Sequence, residues 1–281
     1  MKLKTFAAAL AATTIAGSAF AADLPSRKVA PAYIAPAPIM TWTGFYIGLN
    51  AGYGWAGSNG VALPSFDTGA GGFTVGQARG AIPMGVSLNN GGGFVGGGQI
   101  GFNYQFGALV AGLEADIQAL TGHSRSASYA GAAPTFLPSF GAFNSKLDYL
   151  ATLRGRLGFA VSPSMLLYAT GGLAFGEAKL SAVYVGPAWG PPMATGASYS
   201  GTRLGWTAGA GVEWKFAQNW SAKLEYLYYD LGNIATGYAP YVYGASITGI
   251  DARTRVDGHI VRAGLNYHFN FGSAAPVVAK Y

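Results

Sequence analysis

The side chains able to activate a nucleophile or hold a ligand are few in this chain, and their spacing suits neither task well. The histidines are His123, His259 and His268, with no pair at metal-ligand spacing. His123 stands beside Ser124, and His259 follows Asp257 by two residues; base-assisted nucleophilic chemistry would have to be built from these pairs. Adjacent residues on a strand point to opposite faces, which weakens the His123–Ser124 pair if that segment is extended. Tyr238, Tyr241 and Tyr243 could stack on a flat ring, and His123, next to Ser124 and Arg125, is the plausible surface ligand. The runs Gly91–Gly93 and Gly96–Gly98 invite a phosphate-loop reading, but no Gly-Lys-Ser/Thr follows and no helical periodicity begins there. The absence of cysteine excludes disulfides and thiolate metal sites. No catalytic residue, metal or cofactor is expected.

Most of the remaining charge follows a rule of parity. In Phe45, Ile47, Leu49, Ala51, Tyr53 and Trp55 the odd positions are apolar, while Gly44, Tyr46, Gly48, Asn50, Gly52 and Gly54 fill the even ones. A period of two means a strand with two unlike faces. Eight such stretches occur, near Trp42–Trp55, Gly93–Phe106, Leu109–Leu120, Leu147–Val161, Met165–Gly176, Leu204–Phe216, Trp220–Leu231 and His259–Phe271. With phase taken from the apolar residues, Glu114, Asp116, Asp148, Arg154, Arg156, Glu213, Lys215, Lys223, Glu225 and Arg262 share the polar face, and Asp230 falls on the other. That face is too polar and glycine-rich for a soluble core. Apolar residues outside and polar residues inside are what lipid requires of a barrel. The sequence therefore predicts an all-β fold, an eight-stranded antiparallel up-and-down transmembrane β-barrel.

The elements that position these strands agree. Lys2 and Lys4, the small apolar stretch from Phe6 to Gly17 and the Ala19-Phe20-Ala21 exit form a signal peptide over 1–21. Residues 22–41, with Pro25, Pro31, Pro36 and Pro38 among alanines, read as a periplasmic tether. The barrel covers 42–271, and 272–281 is a periplasmic tail. Short turns at Gly107-Ala108, Ser162–Ser164 and Ala217–Asn219 alternate with four long connections, 56–92, 121–146, 177–203 and 232–258, read as structureless external loops. Outward aromatics, including Trp42, Tyr53, Trp55, Phe106, Trp206, Trp214, Trp220 and Tyr267, suit girdles at the two membrane interfaces. The formal charge of +6 becomes +4 without Lys2 and Lys4 (6 − 2), and the bases form no cluster, so no nucleic-acid partner is expected.

Several segments carry a family resemblance: Ala19–Pro25, Trp42–Gly48, Leu167–Gly176, Gly209–Glu213 and Lys223–Gly232. They resemble the small outer-membrane β-barrel proteins of alphaproteobacteria, the Omp25/Omp31 group often labelled a porin family. The resemblance covers leader, strands and C-terminal end but not the long loops. It implies an OmpA-like barrel in the Gram-negative outer membrane, associated with envelope integrity. Its partners would be outer-membrane lipid and lipopolysaccharide, the assembly machinery, and envelope components on the peptidoglycan side. Some members of the group bind haemin, for which His123, Tyr238, Tyr241 and Tyr243 are the candidates here. The last strand ends Tyr267-His268-Phe269-Asn270-Phe271, yet Gly272–Tyr281 follows, a departure from barrels that finish on an aromatic.

Eight strands leave an interior that side chains can fill. The inward charges, five acids and five bases, read as a paired polar plug, and inward Leu150, Leu166, Tyr168, Leu227, Tyr229 and Ile260 also argue for filling. A structural barrel with recognition loops is the first reading and a small-solute channel the second. Symmetry about Gln218 places Glu213 opposite Lys223, and a direct ion pair is predicted between them.

Overall fold

The structure, a computed structural model, describes residues 40–68, 82–89, 91–133, 136–186, 193–243 and 246–269. The signal peptide, most of the tether, Phe271 and the C-terminal tail lie outside the described residues. In chain order the strands are β1 (Gly44–Ala56), β2 (Gly60–Ala62), β3 (Ser65–Asp67), β4 (Gly85–Ser87), β5 (Gly92–Phe106), β6 (Leu109–Leu120) and β7 (Ser124–Ala133). They continue with β8 (Phe136–Ser162), β9 (Met165–Gly186), β10 (Met193–Lys215), β11 (Trp220–Ala235), β12 (Ala239–Tyr243), β13 (Ser246–Ile250) and β14 (Arg253–Phe269).

Eight of these pair antiparallel in the order β1-β5-β6-β8-β9-β10-β11-β14, and β14 returns to β1 from Phe45↔Phe269 to Ala56↔Gly258. The ring is closed, so no edge is left to satisfy in lipid. Burial alternates along each strand. Leu49, Ile100, Leu113, Leu157, Leu204 and Leu224 are exposed on the outer wall, while their sequence neighbours are covered. Aromatics gather at both ends of that wall. Trp214–Phe216, Trp220–Tyr267 and Phe45–Phe102 lie at the short-turn end, and Tyr53–Trp55 and Trp206–Tyr228 at the other.

The long connections depart from the sequence reading. Among the described residues, 121–146, 177–203 and 232–258 are largely β-structure and 56–92 holds three short strands, because stretches such as Ser124-Arg-Ser-Ala-Ser-Tyr also alternate, only with small polar residues where lipid-facing strands carry leucine. β8, β9 and β10 run on past the lipid-facing wall as one continuous sheet, joined by β7, while β12, β13 and β3 form a separate three-stranded sheet. Beneath these hairpins Val95, Leu120, Leu147, Leu150, Leu227, Tyr229 and Ile260 join Val61, Leu63, Leu88 and Val256 from the long connections in one apolar cluster.

Trp42 also departs from expectation. It was expected on the outer girdle but is 1% exposed, packed with Val110, Leu166 and Tyr168 inside the short-turn mouth. The reason is parity itself: residue 42 is an even position like Tyr46 and Asn50, which are buried, whereas the outward positions Phe45 and Ile47 are odd. The alternation thus extends back to residue 42, and the girdle expectation followed the residue type instead of its position.

Glycine makes room for the charges. Arg262 faces Gly52, Arg154 faces Gly172, Glu114 faces Gly101, Arg156 faces Gly112, Glu225 faces Gly211 and Lys223 faces Gly264 across the ladders. A Cβ at Gly52 would stand 2.1 Å from the Val261 carbonyl oxygen and 2.6 Å from Arg262 Cα; at Gly172 it would meet the Leu153 carbonyl oxygen at 2.1 Å. On the lipid side, a Cβ at Gly155 or Gly171 has its nearest neighbour at 3.8 or 3.6 Å. Gly52→Ala and Gly172→Ala should therefore cost about 1–3 kcal/mol in urea unfolding of the refolded barrel, as overpacking does. Gly155→Ala and Gly171→Ala should stay within about 0.5 kcal/mol of the parent. Equal effects on the two faces would contradict this account of the glycines.

Candidate functional site

The inward residues at mid-height converge on one network. Arg154 on β8 donates to Asp116 Oδ2 at 2.8 Å and Glu225 Oε1 at 3.0 Å, and also reaches Glu114; its Nε bonds Thr152 Oγ1 at 2.9 Å. Arg262 on β14 donates to Glu225 Oε2 at 2.6 Å, Asp116 Oδ1 at 3.0 Å and Gln118 Oε1 at 3.0 Å. Lys223 on β11 reaches both oxygens of Glu114 on β6, at 2.8 and 2.9 Å. In the ring order β6 and β11 are four strands apart by either route, so this pair bridges the barrel's diameter. Below it Arg156 binds Glu213 and lies 3.6 Å from the centre of the Tyr168 ring. Glu213 further accepts from Asn266 at 2.8 Å and from Ser221. Tyr46 and Tyr168 donate to Glu114 at 2.7 Å and Glu225 at 3.1 Å, and Gln99 accepts from Asn50 at 3.1 Å and donates to Asn266. All eight barrel strands contribute.

Nine of the ten residues expected inside are buried: Glu114, Asp116, Arg154, Arg156, Glu213, Lys215, Lys223, Glu225 and Arg262. Asp148 is a correction. A bulge between Leu147 and Leu150 reverses parity, so both leucines face in and Asp148 sits at the outer rim. There Lys146 (2.6 Å) and Lys179 (2.5 Å), both about half exposed, hold its carboxyl below the usual carboxylate range. Two inward leucines three residues apart are the signal that would have exposed the bulge. The central lattice is thus four acids, Glu114, Asp116, Glu213 and Glu225, against four bases, Arg154, Arg156, Lys223 and Arg262. Lys215 stands apart at the short-turn mouth, bonded to the Thr41 carbonyl and 4.7 Å from the Trp42 ring centre.

The direct Glu213–Lys223 ion pair is the second correction. The register is as predicted, with Glu213↔Lys223 and Lys215↔Ser221. Lys223 nevertheless extends across the lumen to Glu114, and Glu213 is taken by Arg156, Ser221, Asn266 and His268. Register fixes which Cβ atoms face each other; a long flexible amine finds its carboxylate elsewhere.

The ligand candidates do not assemble. His123 is buried rather than on the surface; burial pushes its imidazole down, and its Nδ1 lies 3.3 Å from the Thr121 carbonyl oxygen. It lines a void of about 20 Å³ with Arg125, Tyr229 and Asp257 under the hairpins, room for about one water molecule. Tyr238 packs edge-on against Phe66 elsewhere, and the side chains of Tyr241 and Tyr243 lie outside the described residues. Ser124 bonds Asn144, not His123. His259 faces outward, stacked on Trp55 and bonded to Tyr226 Oη at 2.7 Å, while Asp257 accepts from Tyr228 and from the Ser58 amide. Among the described residues no three of His, Cys, Asp and Glu come together to hold a metal ion.

Sequence reasoning missed the uncharged members of the lattice: Tyr46, Gln99, Gln118, Thr152, Ser221 and Asn266. Inward parity was the signal available for each. Removing one partner of a buried pair leaves the other uncompensated, at about 3–5 kcal/mol. Glu114→Gln or Lys223→Met should each lower unfolding stability by that order, and the double variant by clearly less than the sum. Coupling between Glu213 and Lys223 should be the smaller of the two in a double-mutant cycle. A cycle showing no coupling between Glu114 and Lys223 would overturn the cross-lumen pair.

The chain is similar to known outer-membrane proteins. The family model described as outer membrane protein beta-barrel domain matches residues 7–269. The 31 kDa outer-membrane immunogenic protein of Brucella melitensis is 35% identical over 95% of this chain and all of that protein. The 25 kDa outer-membrane immunogenic protein of Brucella canis is 29% identical over 90% of this chain and 91% of that one. Among solved structures, Neisserial surface protein A is similar over 81% of this chain and 98% of that chain, at 14% identity and a TM-score of 0.38. A closed ring of eight strands, greasy outside and charged within, the match of the family model over residues 7–269 and the 35% identity over 95% of the chain lead to one assignment: this chain belongs to the outer-membrane β-barrel family, of the Omp25/Omp31 type.

Proposed function

We propose that this outer-membrane barrel is a closed structural protein that supports envelope integrity and displays its long hairpins for recognition, in preference to a channel for small solutes. The observation that carries this reading is the Lys223–Glu114 pair across the lumen, flanked by Arg154 and Arg262. A diffusion path has to pass a fixed lattice in which each charge is neutralised, and eight strands leave no wider route around it. The apolar cluster above and the Trp42 cluster below add two further layers of filling.

The short-turn end faces the periplasm, towards the assembly machinery and peptidoglycan-side components, and the hairpins face outward. The outer wall meets lipid and lipopolysaccharide. The Brucella relatives are named immunogenic, which fits hairpins that stand clear of the membrane. Epitope tags placed in 69–81, 134–135, 187–192 or 244–245 should be reached by antibody on intact cells, and tags in the 217–219 turn should not. Surface labelling of that turn would reverse the orientation.

Planar-bilayer recording tests closure. Purified monomer should give no steady, ohmic, porin-sized steps, and loss of the protein should disturb the envelope more than nutrient uptake. Reproducible large single-channel steps from homogeneous monomer would establish the channel reading instead.

A further inference from the structure

The first described residues enter the barrel by a route that its ladders do not require. Ladder pairing begins at Gly44, opposite Asn103, and at Phe45, opposite Phe269. Thr41 and Trp42 precede it, yet Trp42 is among the largest fully buried side chains of the molecule. Five contacts hold this segment in the short-turn mouth. The Trp42 amide donates to Gln105 Oε1 at 2.8 Å, and the Gln105 amide donates to Thr43 Oγ1 at 2.9 Å. Lys215 Nζ donates to the Thr41 carbonyl and lies 4.7 Å from the Trp42 ring centre, and the His268 ring meets that indole edge-on with centroids 6.0 Å apart.

The geometry points to a lid: Thr41 and Trp42 close the short-turn mouth and lift about Gly44 while the barrel stays folded. Lifting breaks no strand pairing, since neither residue is in a ladder. It also relieves a polar deficit. Trp42 Nε1 is buried with no hydrogen-bond partner among the described residues, whereas a buried indole N–H usually finds one; water supplies it once the ring swings out. Gly44 is the pivot, with φ of 140° and a Cβ that would stand 2.8 Å from the Phe269 carbonyl oxygen. With the lid raised, water reaches His268, Lys215 and Val110, while the lattice of Arg154 and Arg262 still blocks the middle. The lid is thus independent of whether the barrel conducts.

Cysteine labelling tests this cleanly, because the chain has no native thiol. Val110→Cys places a reporter under the lid, and Val95→Cys places one under the apolar cluster at the other end; both valines are fully buried. In the refolded full chain a charged methanethiosulfonate should modify Val110→Cys slowly but measurably under native conditions, and leave Val95→Cys untouched. Adding Trp42→Ala should speed the Val110→Cys reaction at least tenfold, Gly44→Ala should also speed it with the indole retained, and Trp42→Phe should restore most of the protection. Full protection of Val110→Cys until the barrel unfolds would overturn the lid. So would a rate indifferent to Trp42, or acceleration of both thiols together, which would make Trp42 an ordinary support of the whole barrel.

Discussion

Compensation of two buried guanidinium groups is the constraint around which the rest of this barrel is arranged. Arg154 and Arg262 project from β8 and β14 into a lumen that eight strands leave just wide enough for side chains to fill. Each must therefore find its counter-charge in fixed side chains. They share Asp116 and Glu225, and Arg154 also takes Glu114, which Lys223 neutralises from the opposite wall. A planar guanidinium with five donors can serve several carboxylates at once. This is how four cations and four acids from five strands become one network. Because a half-satisfied network is worse than an apolar interior, the polar residues around it, Thr152, Gln118, Tyr46 and Tyr168, are part of the same requirement.

That requirement explains composition. Glycine lies across the ladder from the lattice members Arg262, Arg154, Glu114, Arg156, Glu225 and Lys223, so the small residue on one strand gives the large one on the next its space. Packing of this kind ties the inward faces of neighbouring strands together as lipid ties the outward ones. A register slip would move Arg262 off Gly52 as well as turn leucines inward, so register is fixed from both sides of the wall.

The fold was legible because lipid enforces period two along the membrane-facing part of each strand, and Leu49, Leu113, Leu157 and Leu224 mark the outer face. Two side-chain placements were not legible, each for a physical reason. The bulge at Leu147–Leu150 moves Asp148 outside, and a bulge is a backbone event that leaves residue types unchanged. Trp42, by contrast, shares the even parity of Tyr46 and Asn50, so its inward place was legible and only its aromatic type pointed to the girdle. The partner of Lys223 lies across the lumen on Glu114, because a long side chain in a narrow tube reaches farther than its ladder neighbour. The hairpins were misread as coil because they alternate serine, alanine and tyrosine, a pattern with no apolar face for lipid and hence little hydrophobic signal.

Nuclear magnetic resonance of arginine side-chain protons tests the central claim most directly. In the refolded barrel the guanidinium N–H protons of Arg154 and Arg262, assigned by Arg→Lys variants, should give separate, slowly exchanging signals that persist at alkaline pH. Those of Arg253 and Arg255, half exposed at the hairpin end, should exchange quickly. Interior guanidinium signals that average and exchange as fast as the exposed pair would mean a wet, mobile lumen, and the fixed lattice would have to be abandoned.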